Sequence, residues 1–350
     1  MVECGRICRP RRTSDKETQH METRPIGNLE VTVVGLGTNS FGAYIDEVAA
    51  KEVTNAALDV GINFFDTADV YGSGASEVLL GKALGSRRDE VVIASKFGMP
   101  LSDGKPDASP EYVRTACDAS LKRLGTDRID LYYQHIADST VPIEETLGAL
   151  DELVKAGKVI EIACSNFASS QIDEAAKASA STGTARFVAV ENELSLLRRE
   201  TSGAHASTLD KRPARGAELI ATAERNDLAV LPYFPLASGM LTGKYRRGVE
   251  PPSGTRLGTA PEERRATMFK AFRDSLLNEK NFDIVEALEA FAAERGHTLV
   301  ELAMSWLACL PKVATVIAGA TSAAQVKSNA NAAGWVLTDA DMAEVDRITL

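Results

Sequence analysis

The chain lacks any long hydrophobic run. Its longest apolar stretches, such as residues 91–94 and 228–231, fall far short of the roughly 20 residues that a membrane-spanning helix needs, so no membrane partner is expected. Cysteine is sparse: five, at positions 4, 8, 117, 164 and 309, with no paired CxxC spacing. Neither a disulfide framework nor a zinc knuckle is indicated by that spacing, and a reducing cytoplasm fits best. Positive charge is in deficit, with 39 Lys and Arg against 49 Asp and Glu for a formal charge of −10. A nucleic-acid partner is therefore disfavoured, although a basic pocket for a single phosphate is still allowed. A complete dinucleotide-binding glycine fingerprint is also missing. Gly35-x-Gly37 stops short of the pattern and reads as a tight turn at the end of a first strand.

The first twenty residues are rich in Arg and polar groups, without the apolar core of a secretory signal or any sustained period. A disordered tail is expected over 1–22 and a single domain over 23–350. Cys4 and Cys8, with His20 as their nearest histidine, are read as inert thiols, and no metal is assigned.

What is present has the size and balance of a globular enzyme. At 350 residues with 44% hydrophobic and 25% charged content, there is room for one barrel domain of roughly 250 residues plus extensions. After a hairpin near 25–32, short apolar runs alternate with longer amphipathic ones. Strands are expected near 33–36, 62–65, 91–95, 129–133, 159–163, 187–191, 228–232 and 314–317. Helical spacing places Ile143, Leu147, Leu150 and Val154 on one face, and Leu299, Leu302, Trp306 and Leu310 on another. Ser109-Pro110 suits a helix start and Gly125 a helix stop. The fold class this predicts is α/β, a (β/α)8 TIM barrel with an N-terminal β-hairpin and C-terminal helices. Two insertions interrupt the rhythm, at 195–213 and at about 239–281, the second carrying the charged run Glu262-Glu-Arg-Arg265.

Four ionisable side chains stand at or just past three successive strand ends: Asp66 and Tyr71, then Lys96, then His135. In a parallel barrel such positions share one rim. An ammonium beside a phenol favours the phenolate, so Lys96 is expected to lower the pKa of Tyr71, while Asp66 keeps Lys96 charged and in place.

Longer phrases accompany these residues: Gly35-Leu-Gly-Thr-Asn-Ser-Phe-Gly42, the helical stretch 142–158, Cys164-Ser-Asn-Phe167, Leu241-Thr-Gly-Lys-Tyr245 and Val316-Ile-Ala-Gly-Ala320. With the Asp, Tyr, Lys and His set, they resemble the aldo-keto reductase superfamily from about Met21 onward. The resemblance implies reduction of an aldehyde or ketone to an alcohol by hydride transfer. Tyr71 would be the general acid, and His135 would hydrogen-bond the carbonyl oxygen. No side chain donates hydride, so a nicotinamide cofactor is implied, NADPH by the family's habit with NADH open.

For that cofactor the resemblance implies Ser165, Asn166 and Glu191 at the nicotinamide carboxamide and Tyr233 stacked on the ring. It places Leu236, Gly239 and Leu241 around the pyrophosphate, and Gly319, Thr321, Gln325 and Asn329 at the adenosine end. Lys327 is the nearest cation for a ribose phosphate. The chain departs from the family pattern at Glu191, where a glutamine is usual, at Leu194, often aromatic, and at Phe234, commonly serine. An ionised glutamate can only accept hydrogen bonds. The expected partner is a small carbonyl compound in a pocket walled by Phe41, Tyr44 and Phe97, and no oligomeric state is assigned. Two other readings stand beside this one: a Schiff-base aldolase using Lys96, and a cofactor-binding, redox-sensing subunit with little turnover.

Overall fold

The computed structural model describes residues 21–100, 104–199, 216–258 and 266–350. Cys4, Cys8 and the run Glu262–Arg265 lie outside the described residues, as do most of the expected tail and of the first insertion. Within the described part, Met21 packs on the core and the Glu22 carbonyl accepts from Val33 N at 2.9 Å.

The hairpin forms as expected, β1 (Thr23–Ile26) antiparallel to β2 (Leu29–Thr32). Ile26 and Val31 insert into the barrel interior with Phe64, Leu131 and Leu231. Side-chain bonds anchor the hairpin at the strand starts: Asn28 N and Nδ2 donate to Glu161 Oε1, and Thr32 N donates to Asn63 Oδ1. One end of the barrel is thereby closed by apolar residues, leaving the opposite end for chemistry.

Eight parallel strands follow: β3 (Val34–Gly37), β4 (Phe64–Asp66), β5 (Val92–Phe97), β6 (Ile129–Gln134), β7 (Val159–Ser165), β8 (Phe187–Glu191), β9 (Ala229–Val230) and β10 (Val316–Gly319). Each pairs with the next, β10 returns beside β3, and bridges from Val230 to Val313 and from Tyr233 to Ile317 close the ring between β9 and β10. This is the (β/α)8 barrel that the alternating pattern predicts.

Helices α1 (Glu47–Asp59), α2 (Ala75–Leu84), α3 (Pro110–Leu124), α4 (Ile143–Lys155), α5 (Ser169–Thr182) and α6 (Gly216–Arg225) connect the first seven barrel strands. Between β9 and β10 lie α7 (Ala266–Leu276), α8 (Glu279–Glu294) and α9 (Leu299–Cys309), and α10 (Ala323–Ala332) and α11 (Asp339–Thr349) end the chain. In α4 the predicted stripe is buried through Leu147 and Leu150, joined by Leu153, each contributing about 1.5–3 kcal/mol by burial. Helix α3 begins at the predicted cap, Ser109 Oγ accepting from Tyr112 N, and stops at Gly125 with φ 66°. In α9, Leu299, Leu302 and Trp306 are buried, while Leu310 leaves the helix with φ −68° and ψ 143°.

Candidate active site

Strand alternation decides which side chains reach the barrel mouth. In β5, Lys96 points inward and Phe97 outward, where its ring packs on Tyr132 of β6 at 5.0 Å. In β6, Tyr133 points inward, and the register pairs it with Lys96. The expected apolar pocket wall is corrected: Phe97, turned outward by this alternation, and Phe41, in the loop after β3, are fully buried core residues, and of the three only Tyr44 is exposed.

Lys96 is wholly buried and its Nζ donates to Asp66 Oδ1 at 2.5 Å and to the Thr67 carbonyl at 3.1 Å. The same ammonium lies 3.4 Å from Glu191 Oε1, 5.2 Å from the centre of the Tyr71 ring and 5.5 Å from that of Tyr133. The Tyr71 and His135 rings meet edge to face at 5.9 Å. The structure thus brings together all four residues predicted from the strand ends.

Electrostatically the cluster differs from the expectation. Burial pushes the Lys96 ammonium toward the neutral form, but Asp66 and Glu191 outweigh it and hold the pKa above the usual lysine value. Burial raises Asp66 despite Lys96. Tyr71 is likewise raised, first by burial and then by the Asp66 and Glu191 carboxylates, against the lowering pull of Lys96. The predicted acidification of Tyr71 is therefore corrected: Lys96 acts in the anticipated direction, but desolvation outweighs it. Burial, then Lys96, pushes His135 well below the ordinary histidine value, so the imidazole is neutral near pH 7.

Around this centre the residues expected at a carboxamide form a bonded chain. Ser165 Oγ donates to the Glu191 carbonyl at 2.8 Å, Asn166 Nδ2 donates to the His135 carbonyl at 3.0 Å, and Tyr233 Oη donates to Asn166 Oδ1 at 2.7 Å. Asn166 has φ 60°, a left-handed conformation that asparagine tolerates better than most residues. Tyr233 contacts the ring of Phe234 edge to face.

The turn after β9 carries Leu236, Gly239 and Leu241. Gly239 N and Leu241 N both donate to the Leu236 carbonyl, at 2.8 and 3.2 Å, and the Leu241 side chain is core. Gly239 sits at φ 97°, and a Cβ there would fall 2.4 Å from Lys244 Cε. Two cations missed by the sequence reading meet this turn: Lys244, and Arg256, whose guanidinium lies 4.7 Å over the Phe234 ring. Lys244 stands in the segment 241–245 that carries part of the family resemblance, whereas nothing local marks Arg256. Tyr245 joins the two segments, its hydroxyl bonding the Ser238 carbonyl and the Leu257 amide.

Across the mouth, the Gln325 side chain accepts from Thr321 N at 2.7 Å, and Asn329 Nδ2 donates to the Gly319 carbonyl at 3.4 Å. Ser40 Oγ ties this segment to the loop after β3 through the Ala320 carbonyl. Lys327 is exposed on α10. Among the described residues no cluster of His, Cys, Asp and Glu is arranged to hold a metal ion, and no helix is long and apolar enough to cross a membrane.

Residues 33–349 match the model of the aldo/keto reductase family. The chain is also similar to a probable aldo-keto reductase 1 from Glycine max, 35% identical over 327 residues that cover 91% of this chain and 85% of that protein.

Proposed function

This chain belongs to the aldo/keto reductase family, whose members are oxidoreductases that use nicotinamide cofactors, and we propose that it reduces aldehydes or ketones to alcohols with NADPH. The observation that carries this reading is the convergence of Tyr71, Lys96, Asp66 and His135 at the open end of the barrel. The surrounding residues fit the cofactor. Ser165 and Asn166 have the chemistry of carboxamide partners, buried Glu191 Oε2 has no hydrogen-bond partner among the described residues, and Lys244 and Arg256 bring positive charge for phosphates. Lys327 is the cation on α10 for a ribose phosphate. When bound, the nicotinamide supplies the hydride.

The side chains supply the rest. Neutral His135 offers its single N–H to the carbonyl oxygen. Tyr71, kept protonated by its raised pKa, gives up its proton only when negative charge develops on that oxygen, because an alkoxide is a stronger base than a phenolate. Lys96 stabilises the phenolate left behind, and Asp66 holds Lys96. A Schiff-base aldolase would need an uncharged amine, and the Asp66 carboxylate at 2.5 Å opposes that at Lys96. We assign a cytoplasmic location and a small carbonyl compound as partner. The test is loss of reduced-nicotinamide absorbance with a panel of aldehydes and ketones. Turnover supports the reading, whereas tight cofactor binding without turnover would transfer the site to a binding role.

A further inference from the structure

Among the described residues, two buried carboxylates form ion pairs with the Lys96 ammonium at the barrel mouth. Asp66 takes the close contact at 2.5 Å, and Glu191 stands second at 3.4 Å. Both carboxylates are nearly inaccessible to water, Asp66 being 2% and Glu191 2% exposed. With both ionised, the cluster would carry a net negative charge in a medium that penalises it heavily. Glu191 Oε2 receives no hydrogen bond from any described residue, and the cation beside this carboxylate, Lys96, is held more closely by Asp66, so a full charge on Glu191 is poorly compensated.

The other groups around Glu191 do not relieve the excess. Tyr71 on the turn after β4 and Tyr133 of β6 are neutral phenols. On the flanking strand β7, Ser165 pairs with Glu191 and does not titrate. Among the described residues, Lys96 is the cation that faces Glu191.

We propose that Glu191 is a carboxylic acid at neutral pH, and that its proton makes it a hydrogen-bond donor to the cofactor's nicotinamide end and a pH-dependent selector between reduced and oxidised cofactor. Protonated, Glu191 can both donate and accept, as an amide side chain does, so glutamate at this place keeps the capacity its ionised form would lose. On deprotonation the proton leaves to solvent and a carboxylate remains. The oxidised nicotinamide ring is cationic and the reduced ring neutral, so that carboxylate favours the oxidised form. Burial, then Asp66, pushes the Glu191 pKa well above the ordinary glutamate value, in keeping with this charge count.

The ligand half of the inference rests on the proposed function; the proton half does not. Infrared difference spectra between wild type and Glu191→Gln, taken on the ligand-free protein at pH 7, should show a protonated-carboxyl band belonging to Glu191 that disappears at high pH. A carboxylate band instead would overturn the inference. In the second measurement, the wild-type ratio of NADP+ to NADPH dissociation constants should fall at least several-fold as Glu191 ionises, while that of Glu191→Gln stays flat. A pH-independent wild-type ratio would overturn the selector role. Failure of either dinucleotide to bind would overturn the ligand half together with the proposed function, with the infrared result still deciding where the proton sits.

Discussion

Asp66 Oδ1 and Lys96 Nζ meet at 2.5 Å across neighbouring strands β4 and β5, with the ammonium completely sequestered from water. Removing one partner of such a buried pair costs about 3–5 kcal/mol because a charge is left uncompensated. Here a reserve stands 3.4 Å away. In Asp66→Asn, Glu191 should ionise and take over, so the loss of stability should lie below that range. Asp66→Asn combined with Glu191→Gln should lose more than the sum of the single variants. Denaturant unfolding of the four proteins in the double-mutant cycle measures this coupling, and simple additivity would contradict it.

Tyr71→Phe deletes the hydroxyl but keeps the ring against His135. Carbonyl reduction should fall by about 100- to 10,000-fold, the usual share of general acid catalysis, with cofactor dissociation constants nearly unchanged. Fluorescence titration beside steady-state kinetics separates the two effects. Unimpaired turnover would remove Tyr71 from the proposed role.

Asp69 gives the protein a predictable response to pH. Burial, then Glu77, raises its pKa to about 7, and its Oδ1 has no hydrogen-bond partner among the described residues. The folded state thus binds the Asp69 proton more tightly than the unfolded chain does. The group lowers stability progressively as pH rises from about 4 to about 7, reaching a cost of about 4 kcal/mol at most that persists above that window. Asp69→Asn removes the titration, so its stability relative to wild type should increase between pH 4 and 7 and then level off. Thermal unfolding midpoints of both proteins across pH 4–9 check the sign.

Lys244 meets the turn after β9 at Gly239, and Arg256 meets it at Phe234. Replacing either by alanine should weaken NADPH binding by about tenfold, the scale of one charge-assisted hydrogen bond. The dependence of affinity on salt should flatten in both variants, because each removes an ionic contact. Isothermal titration at two salt concentrations tests this. An unchanged dissociation constant would place the pyrophosphate elsewhere.

The order and class of the secondary structure were legible in the chain because they follow from local periodicity. Alternating short apolar runs and 3.6-residue stripes specify strands and helices, and right-handed strand-helix-strand connections leave a parallel barrel as the compact solution. The four residues at the strand ends were legible for the same reason, since one rim collects them all. Tertiary structure alone decided the electrical state of that rim. How far Tyr71 is desolvated, and that Asp66 and Glu191 must share Lys96, depend on distances between β4, β5 and β8, which no local pattern encodes. Arg256 reached Phe234 only through the path of a long connection. Phe41 and Phe97, plausible pocket walls by type, became core because the pleat of β5 and the loop after β3 turned them away from the mouth. A sequence names the groups that can carry charge, whereas the energy of each charge is set by what surrounds it in three dimensions.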